Sequence, residues 1–88
     1  MVTNLINENG NATANQFVIF DENGVTFQSY RTKIAVIGGG EVKVSYQNWD
    51  YSKTTTKYLY QFLRQNGISV HSKGEFLKLV KDGKIQWF

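Results

Sequence analysis

The chain has no cysteine among its 88 residues, which removes disulfides, thiol nucleophiles and thiolate metal sites together. That absence is compatible with a reducing compartment, and a cytoplasmic location is the expectation. There is one histidine, His71; with no thiolate to join it, a zinc site would need a carboxylate-dominated ligand set, which is uncommon. No metal or other cofactor is expected. Proline is absent too, so turns fall to Gly, Asn and Asp. No apolar run approaches the roughly 18 residues of a membrane span. The opening "MVTNLINENGNATANQ" lacks the basic start and apolar core of a secretory signal.

Several catalytic signatures are missing as well. No strained nucleophile turn or orienting acid accompanies His71 as a Ser–His relay would require. "IGGGE" (37–41) lacks the Lys-Ser/Thr ending of a phosphate-binding loop and precedes a strand. Asp21 and Glu22 are adjacent on a turn, where they are solvated charges and not an acid–base pair. The chain is expected not to be an enzyme.

What is present is enough apolar material for one domain, with 41% hydrophobic and 15% aromatic residues. Residues 1–15 are polar and Asn-rich and read as a mobile or loosely docked arm. "QFVIF" (16–20) reads as a buried strand, and "DENG" (21–24) as its turn. "VTFQSYRTKIAVI" (25–37) reads as a long strand with a fault, because Val25 and Phe27 are odd-numbered while Ile34 and Val36 are even. Either both faces are covered or a bulge near 29–33 shifts the phase. "GGG" (38–40) turns into "EVKVSYQ" (41–47), with Val42, Val44 and Tyr46 inward. A helix after Ser52 presents Tyr58, Leu59, Phe62 and Leu63 to the sheet and stops at Gly67. "SKGE" (72–75) opens a second helix with Phe76, Leu77, Leu79 and Val80 on its apolar side, Gly83 closes it, and "KIQWF" (84–88) is a last strand. The predicted domain, 16–88, is α+β in the order β-β-β-α-α-β. Its antiparallel sheet is a three-strand meander plus a C-terminal strand, with two helices on one face.

Charge is divided unevenly along the chain. Residues 1–50 carry three basic and five acidic side chains, and residues 51–88 carry seven basic and two acidic. On a helical wheel Lys53, Lys57, Tyr60 and Arg64 share a sector of roughly 60° opposite Phe62, and no acid lies between 51 and 74. Such a stripe can meet an acidic protein surface, hold a nucleic-acid backbone, or merely keep the protein soluble. Tyr30, Arg31 and Lys33, at the phase fault, form a second candidate surface. The hydroxyls Ser52, Thr54, Thr55 and Thr56 are read first as helix capping. A phosphate site there would want glycines that this stretch lacks. An open edge at 41–47 or 84–88 offers pairing with another copy or with a target.

"ANQFVIF", "FQSYRTKIAVI" and "WDYSKTTTKY", in this order, resemble an uncharacterised family of short bacteriophage and mobile-element proteins. The pattern falls on Asn15, Gln16, Phe17 and Ile19; on Phe27, Gln28, Ser29, Tyr30, Thr32 and Ile34; and on Trp49, Asp50, Tyr51, Ser52, Thr54, Thr55, Lys57 and Tyr58. The resemblance implies an origin more than an activity. By analogy with small phage proteins, it leads us to expect a non-enzymatic protein in the host cytoplasm that binds and inhibits a host protein, such as a nucleic-acid-handling defence factor, in the manner of an anti-CRISPR protein. The alternative is direct nucleic-acid binding by the basic helix face.

Overall fold

Short β-branched and aromatic segments separated by tight turns build five consecutive antiparallel strands in the computed structural model, which describes all 88 residues. They are β1 (Val2–Ile6), β2 (Ala12–Asp21), β3 (Gly24–Ser29), β4 (Thr32–Gly38) and β5 (Glu41–Val44), followed by α1 (Lys53–Gln65), α2 (Lys73–Lys81) and β6 (Gln86–Trp87). One mixed sheet results, in spatial order β1-β2-β3-β4-β5-β6, with β6 parallel to β5. The class is α+β, but the three-strand antiparallel meander is corrected: five strands precede the helices, and the sheet ends in a parallel pair. Residues 1–15 are not an arm. They supply all of β1 and the first four residues of β2, so the domain includes them. No helix is long and apolar enough to cross a membrane.

The phase fault resolves into a turn and a bulge. Residues 25–37 are two strands, joined by the two-residue connection Tyr30–Arg31 between the paired Ser29 and Thr32. The β3–β4 ladder then slips between Phe27 and Gln28, so that Ile34 and Ala35 both stand against Phe27. Both are buried. A bulge sends two neighbours to one face, which strict alternation forbids.

Val18, Phe27, Ala35 and Val44 lie in one row across the sheet and line the covered face. Phe62 of α1 stacks on Phe27 with ring centroids 5.6 Å apart. Leu59, Phe62 and Leu63 are buried as predicted, while Tyr58 is only half-buried. Phe76 anchors α2 among Trp49, Tyr60 and Trp87; Leu77 is exposed. Tyr46, expected inward, is 64% exposed, because β5 ends at Val44.

The helix ends follow the sequence signals. Ser52 Oγ accepts from the Thr55 N–H and Ser72 Oγ from the Glu75 N–H. At the far end of α1 the Gly67 N–H donates to the Arg64 carbonyl and the Ile68 N–H to that of Leu63. This is a Schellman closure that needs the left-handed φ of +85° at Gly67.

Candidate functional site

The hydroxyl run is divided between structure and solvent. Ser52 Oγ caps α1 and lies 3.1 Å from Thr55 Oγ1, and the Thr56 hydroxyl donates to the Trp49 carbonyl at 3.2 Å. Thr54 forms no side-chain hydrogen bond within the protein and is exposed. The capping reading therefore accounts for Ser52, Thr55 and Thr56, and leaves open what Thr54 faces.

It faces a cleft of about 680 Å³ between the start of α1 and the β3–β4 turn. One wall is Ser29, Tyr30, Arg31 and Thr32, with the bulged Ile34; the other is Asn48, Tyr51, Ser52, Thr54 and Thr55. The rim is aromatic: Tyr30 is 61% and Tyr51 81% exposed. Arg31 is the single cation in the lining, and no acid belongs to it.

Tyr30 is held there against a conformational preference. Its φ is +55°, in the left-handed region that costs an L-residue about 1–2 kcal/mol. The conformation is pinned from both sides: the Tyr30 N–H donates to the Asn15 carbonyl at 2.6 Å, and the Gln28 side-chain amide donates to the Tyr30 carbonyl at 2.9 Å. A two-residue hairpin connection needs a positive φ at its first residue; here that residue is a tyrosine whose ring is left in water at the rim of the cleft.

Of the second predicted surface, then, Tyr30 and Arg31 enter the cleft. Lys33 pairs with Gln28 in the ladder and lies outside the lining. The first predicted surface is assembled in part: Lys53, Lys57 and Tyr60 border one depression, and Arg64 is engaged elsewhere. Lys53 and Lys57 are exposed and, with Tyr60, Asp50, Ser52 and Thr56, line a shallower depression of about 530 Å³. Tyr60, expected at the centre of the stripe, is 8% exposed with its ring 5.9 Å from that of Phe76. Arg64 donates to the Val70 carbonyl at 2.6 Å and pairs with Glu8 of the β1–β2 loop. The stripe is narrowed because Phe76 of α2 packs on the Tyr60 ring and the N-terminal hairpin reaches Arg64 at the helix end. A wheel drawn for one helix records neither.

Burial pushes the Tyr60 phenol above its ordinary value of 10.0, and the charge of Asp50 adds to the shift. Its hydroxyl has no hydrogen-bond partner. The neutral phenol is thus favoured in the folded state. This contribution is complete below the unfolded pKa and is lost as pH rises through the higher folded pKa. Tyr60→Phe is expected to melt at or above the wild-type temperature at pH 7, since it deletes an unpartnered buried polar atom. It should also retain more of its stability in strong alkali; thermal melts at both pH values check this.

Ser29, Thr32 and Asn48 line the cleft without having been singled out as site residues in the sequence. A signal existed: apart from Arg31 and Asn48, every lining residue stands at a named position of the "FQSY" or "WDYS" pattern. What could not be read was that the two patterns meet in space.

Residues 1–78 match the model of a family of unknown function, DUF8033, and the chain belongs to that family. The match begins with β1 and contains the whole cleft. No curated protein and no solved structure matches the chain.

Proposed function

We propose that this family member is a non-enzymatic binding module whose cleft between the β3–β4 turn and α1 grips a segment of another protein. The observation that carries the reading is Tyr30, held at left-handed φ with its ring exposed across the cleft from Tyr51. Tyrosine and arginine are the side chains most often central to protein interfaces, because they add large contact area with few rotatable bonds or a planar donor fork. Serine, threonine and asparagine around them supply adaptable hydrogen bonds. The lining holds no carboxylate, imidazole or thiol, so it has no group suited to general-base or thiolate work near neutral pH.

The cleft lining holds one arginine, while the exposed Lys53 and Lys57 border a separate depression; this favours a protein over a nucleic-acid backbone as the occupant of the cleft, where several cations together would be called for. The resemblance to phage and mobile-element proteins makes a host protein the expected partner, with a nucleic-acid-handling defence factor as the candidate. Blocking it would be the consequence.

The test is capture from nuclease-treated lysate of the encoding cell by wild type, Tyr51→Ala and Tyr30→Asn. Tyr51→Ala should leave stability within about 0.5 kcal/mol of wild type. Tyr30→Asn should keep it or raise it by up to about 1 kcal/mol, because Asn tolerates the left-handed region. Both should lose the partner that wild type retains. Equal retention by all three proteins, or retention that nuclease abolishes, sinks the reading.

A further inference from the structure

The sheet has two edges of unequal character. On one side β6 is only two residues long. On the other, β1 runs for five residues with nothing beyond it in the sheet. The sequence placed an open edge at 41–47 or 84–88; β6, within 84–88, is such an edge but a short one, and the longer edge, β1, lies at the opposite end.

The hydrogen-bond phase of β1 fixes what that edge offers. Met1 and Phe20 exchange both backbone bonds, at 2.7 Å each. Closely and widely spaced pairs alternate along an antiparallel ladder, so Thr3–Val18 is the next bonded pair, while Val2–Ile19 and Asn4–Phe17 are not bonded. The N–H and C=O groups of Val2 and Asn4 consequently point away from β2. The register is regular over Val2–Asn4, and its one shift lies beyond Asn4.

Edges of this kind are usually blunted by lysine, proline or an inward charge. "VTNLI" has none of these. Its surroundings are apolar as well: Val2 is 61%, Ile6 48% and, on the neighbouring strand, Phe20 42% exposed.

We infer that β1 pairs antiparallel with β1 of a second copy, about a two-fold axis at Thr3. In that register Val2 exchanges both backbone bonds with Asn4 of the second copy, and Asn4 does the same with its Val2. All four outward groups on each side are then matched. The two Thr3 side chains face each other in a non-bonded pair, a favourable cross-strand combination. Charge fits the same occupant: an uncharged strand meets an identical uncharged strand, whereas like charges placed opposite each other would oppose self-pairing. Phe20 and Thr3 project to the same sheet face, since Phe20 and Val18 alternate along β2 and Thr3 pairs with Val18. The second copy would shelter that exposed ring.

Because the chain has no cysteine, the register can be read with a single introduced thiol. Non-bonded antiparallel pairs hold their Cα atoms about 4.5 Å apart, within disulfide range. Thr3→Cys should form a disulfide-linked dimer under mild oxidation far faster than Lys81→Cys, an exposed site on α2. Sedimentation across the micromolar to millimolar range should show wild type dimerising with concentration. Thr3→Lys and Thr3→Glu should each stay monomeric with wild-type circular dichroism, and mixing the two should restore the dimer. A wild type that stays monomeric throughout overturns the inference. So does a dimer that Thr3→Lys leaves intact, or a Thr3→Cys thiol that cross-links only to a different protein. None of these readouts involves the cleft, so its own test stands or falls separately.

Discussion

Phe76→Ala is expected to lower the unfolding free energy by about 3–5 kcal/mol, as truncating a large buried aromatic usually does. Domains of this size have about 5–15 kcal/mol in total, so a large share of the variant should be unfolded at 37 °C if the wild type sits low in that range. Phe76 has no exposed surface, and its ring lies 4.7 Å from Trp49, 5.8 Å from Trp87 and 5.9 Å from Tyr60. It is also the one fully buried side chain of α2. Its loss would therefore remove more than contact area: α2 would lose its anchor, and with it the cover over Tyr60. Denaturant melts followed by tryptophan fluorescence should show the loss, with Trp49 and Trp87 red-shifting together. Phe76→Leu should cost clearly less, and Leu77→Ala, on the exposed flank, about 0.5 kcal/mol or less.

Gly24→Ala is expected to cost about 2–6 kcal/mol, from backbone strain and overpacking together. Gly24 has a φ of +133°, a region that side-chain-bearing residues rarely enter. A methyl there would overlap the Ile37 carbonyl oxygen and stand 2.8 Å from Gly38 Cα. The contact is mutual, since a methyl on Gly38 would run into the Asn23 carbonyl. The β2–β3 turn and the end of β4 thus approach each other backbone to backbone, and neither has a flexible side chain to yield. Gly39→Ala is the control. Its φ of +59° is strained for alanine, but nothing lies within 4 Å of the added carbon, so about 1–2 kcal/mol is expected. Urea melts should place Gly39→Ala closer to wild type than Gly24→Ala.

Local chemistry was legible in the sequence, and relations between distant segments were not. Ser52, Ser72, Gly67 and Gly83 announced the helix ends because capping depends on neighbours within a few residues. The odd–even conflict between Val25, Phe27 and Ile34, Val36 correctly marked a fault, although the connection at Tyr30–Arg31 read as continuous strand, since neither residue is a usual turn former. β1 was missed because only Leu5 in it is buried. A strand that takes its place by backbone pairing leaves little hydrophobic pattern. Tyr60 and Arg64 were assigned to solvent because a wheel knows nothing of Phe76 or Glu8. The cleft suffered the same blindness in reverse, its two walls being recognisable patterns separated by residues 35–47 with no sign that they meet.

Amide chemical-shift mapping of the isotope-labelled protein, titrated with the partner it captures, tests the binding surface most directly. Perturbations concentrated at Ser29–Thr32 and Tyr51–Thr55, with Lys57, α2 and the β1 edge unmoved, are the predicted result. A footprint centred on α2 or the uncovered sheet face, with the Tyr30 and Tyr51 amides unchanged at saturation, would contradict it.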